Sequence, residues 1–285
     1  MNGLSSTLRD ATDALTPVSA TPRLDAELLM AHALGIDRSA MLLRMHDLAV
    51  PAGFAAMLAR RVADEPVAYI TGMQAFWDLN LHVTPDVLIP RADSETVIEV
   101  AMAAFAGRGA PARILDLGTG SGALLLAALS VFSGAEGVGI DASAAALAVA
   151  SGNASRLGLD GRATFERRDW TLDMWADGLG QFDLIVCNPP YIEDDTPLAD
   201  MVARHEPHSA LFAGPDGLRD YRILLKTLEK LLKTTGIAVF EIGFNQSKSV
   251  AKLGTEAGFA SELTHDLSGN PRVLRFSLGI AQPNR

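Results

Sequence analysis

From residue 110 onward, short apolar runs alternate with helical segments, and few folds accommodate that alternation. The segments "ARILDLG", "EGVGID", "ATFERRD", "FDLIVCN" and "GIAVFEIG" read as strands. Between them "GALLLAALSVF", "SAAALAVASGNASRLG" and "RDYRILLKTLEKLLK" read as helices, the last one amphipathic. Strands that are apolar throughout and separated by helices build a parallel sheet covered on both faces. After a further helix, "QSKSVAKLGTEAG", the strands "SELTHDL" and "RVLRFSLG" follow one another with no helix between them. An antiparallel strand is therefore expected at one edge. The prediction is a doubly wound α/β fold.

The first 75 residues have a different texture, rich in Ala, Leu and Met and poor in strand signals. "RLDAELLMAHALGI" places Leu24, Leu28 and Leu29 on one helical face, with Gly35 as a stop. "AGFAAMLARRVADEP" repeats the pattern with Phe54, Met57, Leu58 and Val62, and Pro66 ends it. A small helical bundle follows, either a structural cap or a partner-docking module. The period then changes in "FWDLNLHVTPDVLIPR", where Trp77, Leu79, Leu81 and Val83 alternate with polar residues. Thr84-Pro85-Asp86 turns the chain before Val87-Leu88-Ile89, which reads as a β-hairpin. Asp93 or Ser94 is placed to cap a helix from Glu95 to Phe105. The expected organisation is a helical domain over 1–74, a hairpin linker over 75–92 and the main α/β domain over 93–285.

Composition narrows the setting. The 285 residues carry a formal charge of −10, which weighs against tight nonspecific binding to nucleic acid. The one cysteine, Cys187, rules out an internal disulfide, fits a reducing compartment and reads as a small buried strand residue. "MNGLSSTLRDATDAL" has no continuous apolar core and carries Asp10 and Asp13, so neither a secretory nor a mitochondrial signal is expected. No apolar run reaches the roughly 18 residues of a membrane span. A soluble cytoplasmic protein is the expectation.

Chemistry enters at "ILDLGTGSGA". It puts Asp116, Gly118, Gly120 and Gly122 between the first strand of the alternating region and its helix. Glycines there permit positive φ and let backbone N–H groups approach a ligand. Gly118, Gly120 and Ala123 also satisfy the dinucleotide pattern G-x-G-x-x-G/A. Asp141, at the end of the next strand, suits ribose hydroxyls in either a dinucleotide or an adenosyl cofactor. Asp116 tips the balance without closing the choice. An acid before the first glycine is unhelpful beside a pyrophosphate but suits the cationic sulfonium and ammonium of S-adenosylmethionine (SAM). There is no P-loop, no G-x-S-x-G elbow and no metal-ligand spacing; His82, His205, His208 and His265 are scattered.

The second motif is "VCNPPY", where two prolines stop an apolar strand outright. In a doubly wound sheet, ligands bind beyond the carboxyl ends of the strands. The glycine loop, Asp141 and Asn188-Pro189-Pro190-Tyr191 all fall at such ends. A planar –NH₂ group needs two acceptors in its own plane. Asn188 Oδ1 and the rigidly held Pro189 carbonyl supply them, and Tyr191 is available to stack on the flat group. The nitrogen lone pair then points at a methyl sulfonium, and positioning carries the catalysis. An amide and an adenine amine fit this clamp equally well. The acidic charge and the lack of a Lys/Arg run lean toward the amide, because an enzyme that extracts a base should carry a basic groove. A noncatalytic SAM-binding module is disfavoured by the intact Asn-Pro-Pro-Tyr. An NAD oxidoreductase is disfavoured by Asp116 and by the absence of a hydride-transfer acid.

Several longer stretches bear a resemblance: "PVAYITGMQAFWDLNLHVTPDVLIPRADSET", "ILDLGTGSGALLLAAL", "FDLIVCNPPYI", "EPHSALFAGPDGLRDYR" and "FEIGFNQ". Together they resemble the release factor glutamine methyltransferase family, over nearly the whole chain and most specifically from Pro66 to Arg222. The resemblance implies a helical N-terminal domain, a β-hairpin linker and a class I methyltransferase domain with a seven-stranded, mostly parallel sheet. It implies methyl transfer from SAM to the side-chain amide nitrogen, N5, of the glutamine in the Gly-Gly-Gln motif of peptide chain release factors, by a monomer. Gly118, Thr119, Gly120, Ser121 and Gly122 would cradle the methionine part of SAM, Asp141 the ribose, and Trp170 would flank the adenine. Asn188, Pro189, Pro190 and Tyr191 would grip the glutamine, with Asn188 also near the cofactor. The chain departs from the family pattern at Ala92, Ser94, His208 and Ala213, and near its end "SGNPR" replaces a more charged form. These positions leave the Asn-Pro-Pro-Tyr acceptors intact and bear on contacts with the protein substrate.

Overall fold

A computed structural model describes residues 3–279. They fall into two compact units, one running through Met73 and including Leu198–Glu206, the other made of Gln74–Pro197 and the chain from Pro207 onward.

The first unit is helical: α1 (Leu4–Leu15), α2 (Pro22–Leu34), α3 (Arg38–Leu43), α4 (Phe54–Val62) and α5 (Val67–Thr71). Its core joins Leu4, Leu8 and Leu15 to Leu29, Met30, Met41 and Phe54. Gly35 ends α2 in the left-handed conformation at φ 68°, as its position suggests. The buried face of α2 differs from the expected one. Leu29 is inside, but Leu24 and Leu28 are 40% and 37% exposed. Asp25 and Glu27 take inward positions instead. Each is paired: Asp25 with Arg61 at 2.8 Å, and Glu27 with Arg23 and Arg38. Val62, expected on the core face of α4, is also exposed.

After α5 the chain forms the hairpin β1 (Met73–Phe76) and β2 (Leu79–His82). The strands therefore pair one element earlier than the alternation suggested. Trp77, at φ 56°, makes the turn, and its N–H is held by Glu95 Oε1 at 2.8 Å. Val87-Leu88-Ile89 is irregular and joins no strand. A short turn at Ala92–Ser94 leads into α6 (Glu95–Phe105), but the Ser94 side chain does not cap it.

The main sheet contains β3 (Arg113–Leu117), β4 (Glu136–Asp141), β5 (Ala163–Arg167), β6 (Phe182–Cys187), β7 (Leu232–Glu241), β8 (Phe259–His265) and β9 (Pro271–Leu278). Their spatial order is β5-β4-β3-β6-β7-β9-β8. All neighbours from β5 to β7 are parallel, whereas β9 runs antiparallel to both β7 and β8. The antiparallel strand thus lies one place in from the edge. Side chains alternate across β6: Leu184 and Val186 face one core, Ile185 and Cys187 the other. The helices α6, α7 (Ala123–Val131) and α8 (Ala144–Arg156) cover the first face. Beyond α9 (Asp200–His205), α10 (Arg219–Leu231) and α11 (Ser247–Glu256) cover the second. Each fully buried Leu, Ile or Phe here contributes about 1.5–3 kcal/mol. No described helix is long and apolar enough to cross a membrane.

Candidate active site

The chain goes from β3 outward to β4 and β5, then returns to β6 on the other side of β3. That reversal opens a crevice at the carboxyl ends of β3 and β6. Leu117 and Cys187 are register partners, so Gly118 and Asn188 leave the sheet side by side. Gly118, Thr119, Gly120, Ser121, Asp141, Trp170, Asn188 and Pro190 all border one cavity of about 330 Å³. Gly122 is the N-cap of α7 and is not among the residues that line the cavity. Pro189 and Tyr191 are not among the residues that line the cavity.

Hydrogen bonds fix the glycine loop tightly. The N–H groups of Gly118 and Thr119 both donate to Ile140 O at 2.9 Å. Thr119 Oγ1 donates to Asp116 Oδ2 at 2.6 Å, and Gly120 N donates to Asp141 Oδ2 at 2.9 Å. The other Asp141 oxygen accepts from Ser143 N at 2.9 Å. Ser121 O accepts from Asn153 Nδ2, also at 2.9 Å. Gly118 is required by close approach: φ is +75°, and a β-carbon there would lie 3.0 Å from Trp170 Cη2. The Trp170 ring is held in turn by its Nε1, which donates to Asp220 Oδ1 at 2.7 Å.

Two acids set the electrostatics of the loop. Asp116 is 1% exposed, and burial pushes its carboxyl up to about 7. Its Oδ1 has no hydrogen-bond partner. Burial also raises Asp141, against the pull of the backbone N–H groups of Ser143 and Gly120. A cationic group in the cavity would relieve both. SAM fits on three counts: an unpartnered buried carboxylate for its positive end, a loop that leaves no room for a side chain at Gly118, and the Asp141 carboxylate for hydroxyls. Among the described residues no group of His, Cys, Asp and Glu has the arrangement to hold a metal ion.

The Asn188–Tyr191 turn is braced from behind. Asn188 Nδ2 donates to Ser94 Oγ at 3.2 Å. This explains why Ser94 caps no helix: its hydroxyl is engaged across the chain. Tyr191 OH reaches Glu241 Oε1 at 3.5 Å. Gln246 Nε2 donates to Tyr191 O at 2.9 Å and to Gly217 O at 3.1 Å, while its Oε1 accepts from Gly243 N. Gly217 has φ +65°, and a β-carbon there would lie 2.4 Å from Tyr191 O. Glu241 is 2% exposed with Oε2 unpartnered. Burial pushes its carboxyl up to about 7, against the Ser94 hydroxyl and the Arg272 guanidinium. Cys187 is a fully buried strand residue, its Sγ 3.2 Å from Leu117 O.

Ser94, Gly217, Asp220, Glu241 and Gln246 were not among the residues expected at the site. Glu241 and Gln246 fall inside "FEIGFNQ" and Ser94 inside "RADSET", so the resemblance marked their segments without their roles. Of the departures, Ala92 begins the turn before α6, His208 packs edge-on against Phe212 with ring centroids 5.6 Å apart, and Ala213 is fully buried.

Two family models match this chain: the PrmC N-terminal domain over residues 6–72 and a methyltransferase domain over residues 110–263. A release factor glutamine methyltransferase of Rhodospirillum rubrum is 44% identical over 259 residues, covering 89% of this chain and 78% of that protein. The protein of the same name from Caulobacter vibrioides is 40% identical over 268 residues, covering 92% and 90%. Among solved structures, a methyltransferase from Pyrococcus furiosus superposes with a TM-score of 0.51 at 17% identity, covering 79% of this chain and 100% of that one. That likeness shows a shared fold.

Proposed function

The chain belongs to the release factor glutamine methyltransferase family, and on that premise we propose that the crevice at the ends of β3 and β6 is where the glutamine amide meets the methyl donor. The protein is a SAM-dependent enzyme that methylates a glutamine side chain of peptide chain release factors. The target is N5 of the glutamine in the Gly-Gly-Gln motif.

SAM supplies an electrophilic methyl group on a cationic sulfur. Residues Gly118 to Gly122 cradle its methionine part, and Asp116 favours its positive charge. Asp141 accepts from the ribose hydroxyls, and Trp170 flanks the adenine. Asn188 Oδ1 and the Pro189 carbonyl accept the two N–H bonds of the substrate amide, Pro190 bounds its flat face, and Tyr191 holds the turn from behind. An amide nitrogen is a weak nucleophile, because its lone pair is delocalised. Two acceptors on its N–H bonds raise its electron density and aim the lone pair at the methyl group. As the nitrogen gains the methyl, the sulfur–methyl bond would break with its electron pair left on sulfur, giving the neutral thioether S-adenosylhomocysteine, and the nitrogen gives up a proton to solvent. Fixed orientation and preorganised acceptors carry the rate.

The observation that carries this reading is the anchoring of Asn188 by its Nδ2 end, beside the glycine loop in one cavity. The net charge of −10 supports a protein substrate over nucleic acid or a membrane surface. A cytoplasmic monomer is the proposed working form. The test is incubation with methyl-labelled SAM and an unmodified release factor. Label on the release factor, lost when the Gly-Gly-Gln glutamine is replaced, is expected. Label that persists after that replacement contradicts the assignment.

A further inference from the structure

Phe244 is the one exposed aromatic side chain among the described residues, at 66%, and Leu267 stands fully in solvent. Neither has a part in the steps above. Both lie at the edge of the sheet where the cavity opens. β7 is parallel to β6, with Phe240 opposite Cys187, so the chain after β7 leaves at the same edge as Asn188. β9 is antiparallel to β7, with Val273 opposite Glu241, so the turn that joins β8 to β9 lies at that edge too. The two connections are laced together where Ile242 N donates to Arg272 O at 2.8 Å.

Each residue sits on a turn that is pinned at its base. Gln246 N donates to Gly243 O at 2.9 Å, and Gln246 Oε1 accepts from Gly243 N at 3.1 Å. Gly243 and Gln246 are buried, whereas Phe244 and Asn245 between them are exposed. In the other turn Asp266 Oδ1 accepts from Ser268 N and Asn270 N, both at 2.9 Å, and its Oδ2 accepts from Arg272 Nη2 at 3.0 Å. The same groups tie both turns to the Asn188–Tyr191 turn. Gln246 Nε2 donates to Tyr191 O at 2.9 Å. Arg272 pairs at 3.1 Å with Asp93, the chain neighbour of the Ser94 that accepts from Asn188.

Apolar side chains scattered singly over a surface need no explanation. Here two of them stand on rigid, interlocked turns beside the mouth of the site. Only the end of a glutamine side chain reaches the clamp. The backbone that carries it, and the protein beyond, must therefore lie across this edge of the sheet. An aromatic ring on a pinned turn buries a large apolar area with little freedom left to lose. We propose that Phe244 and Leu267 form an apolar docking surface for the release factor, meeting an apolar patch of that protein beside its Gly-Gly-Gln loop. This rests on the assignment of the crevice as the glutamine methylation site. The surface serves capture of the substrate protein and takes no part in methyl transfer.

The experiment measures kcat, the KM for release factor, the Kd for SAM and the Tm of Phe244→Ser, Leu267→Ser and the double variant. Met102→Gln, at another exposed apolar residue on α6, is the control. Each single variant is expected to raise the KM for release factor about tenfold and the double variant about 10²-fold, as for apolar residues buried at an interface. In all of them kcat and SAM affinity should stay within about twofold and Tm should hold. In a second arm, a photoreactive phenylalanine analogue at Phe244 should cross-link to release factor residues flanking the Gly-Gly-Gln motif. If a variant lowers Tm, the cross-link alone decides. Wild-type KM in the double variant, a loss confined to kcat, or an equal rise in Met102→Gln overturns the proposal. So does a cross-link to a second copy of this chain, or none to the release factor. A wild-type enzyme that methylates no release factor would instead overturn the function on which the proposal rests.

Discussion

Leu117 and Cys187 are partners across β3 and β6, and that one register sets the glycine loop beside the Asn-Pro-Pro-Tyr turn. The methyl donor and the amide acceptor are thereby assigned to one cavity by two strands that neighbour each other in the sheet but lie some 70 residues apart in the chain. A site assembled this way depends on the groups that pin its two loops, and those groups can be changed one at a time.

The indole of Trp170 covers Gly118 and donates to the buried carboxylate of Asp220. Trp170→Phe keeps a ring but leaves that carboxylate oxygen without its donor, at a cost of about 1–3 kcal/mol. We expect SAM affinity to fall by about tenfold with little change in the KM for release factor. Calorimetric titration with SAM checks this, and unchanged affinity would show that the ring does not wall the cofactor site.

Gly217 and Gln246 brace the carbonyl of Tyr191. At Gly217→Ala the positive φ costs about 1–2 kcal/mol, and the new methyl would meet Tyr191 O at 2.4 Å. The turn must shift, so turnover should drop together with Tm. Gly134→Ala, where no atom lies within 4 Å of the added carbon, serves as the control and should alter neither. Equal Tm and turnover in the two variants would remove Gly217 from the bracing of the site.

The pH dependence follows from Asp116. Its folded-state carboxyl titrates at about 7, above the ordinary 3.8, chiefly because burial penalises the charge. Between about pH 4 and 7 the folded protein therefore binds more protons at this residue than the unfolded chain. Its contribution to stability falls as pH rises through that window and is level above it. Relative to Asp116→Asn, ligand-free wild type should lose Tm from pH 5 to about 7.5, and SAM, whose cation favours the ionised carboxylate, should reverse the loss. Parallel Tm profiles for the two proteins would contradict this account.

The parts of the site that could be read from sequence are those whose geometry is local. A glycine loop after a strand, an acid at the end of the next strand and a double proline each impose their conformation within a few residues. The alternation of strands and helices likewise specified the doubly wound sheet. Ser94, Asp220, Glu241 and Gln246 were not legible, because each acts through a partner 50 or more positions away. Which strands become neighbours, and in what register, decides those contacts. The hairpin was misplaced for a related reason. Thr84-Pro85-Asp86 is the stronger turn signal, yet the chain turns at Trp77, whose N–H is taken by Glu95 18 residues on. In α2 the buried Asp25 and Glu27 displaced Leu24 and Leu28 because arginines from elsewhere in the chain neutralise them.

The claim at the centre of the account is that Asn188 holds the substrate amide. Asn188→Ala removes one of two acceptors while leaving the glycine loop, Asp141 and Trp170 in place. The direct measurement is single-turnover methylation of a release factor by this variant, with SAM affinity determined on the same preparation. The account predicts a loss of about 10²-fold or more in the methylation rate, as for a preorganised group acting on the reacting centre, with SAM affinity within about threefold of wild type. A wild-type rate, or a loss that merely follows weakened SAM binding, would contradict it.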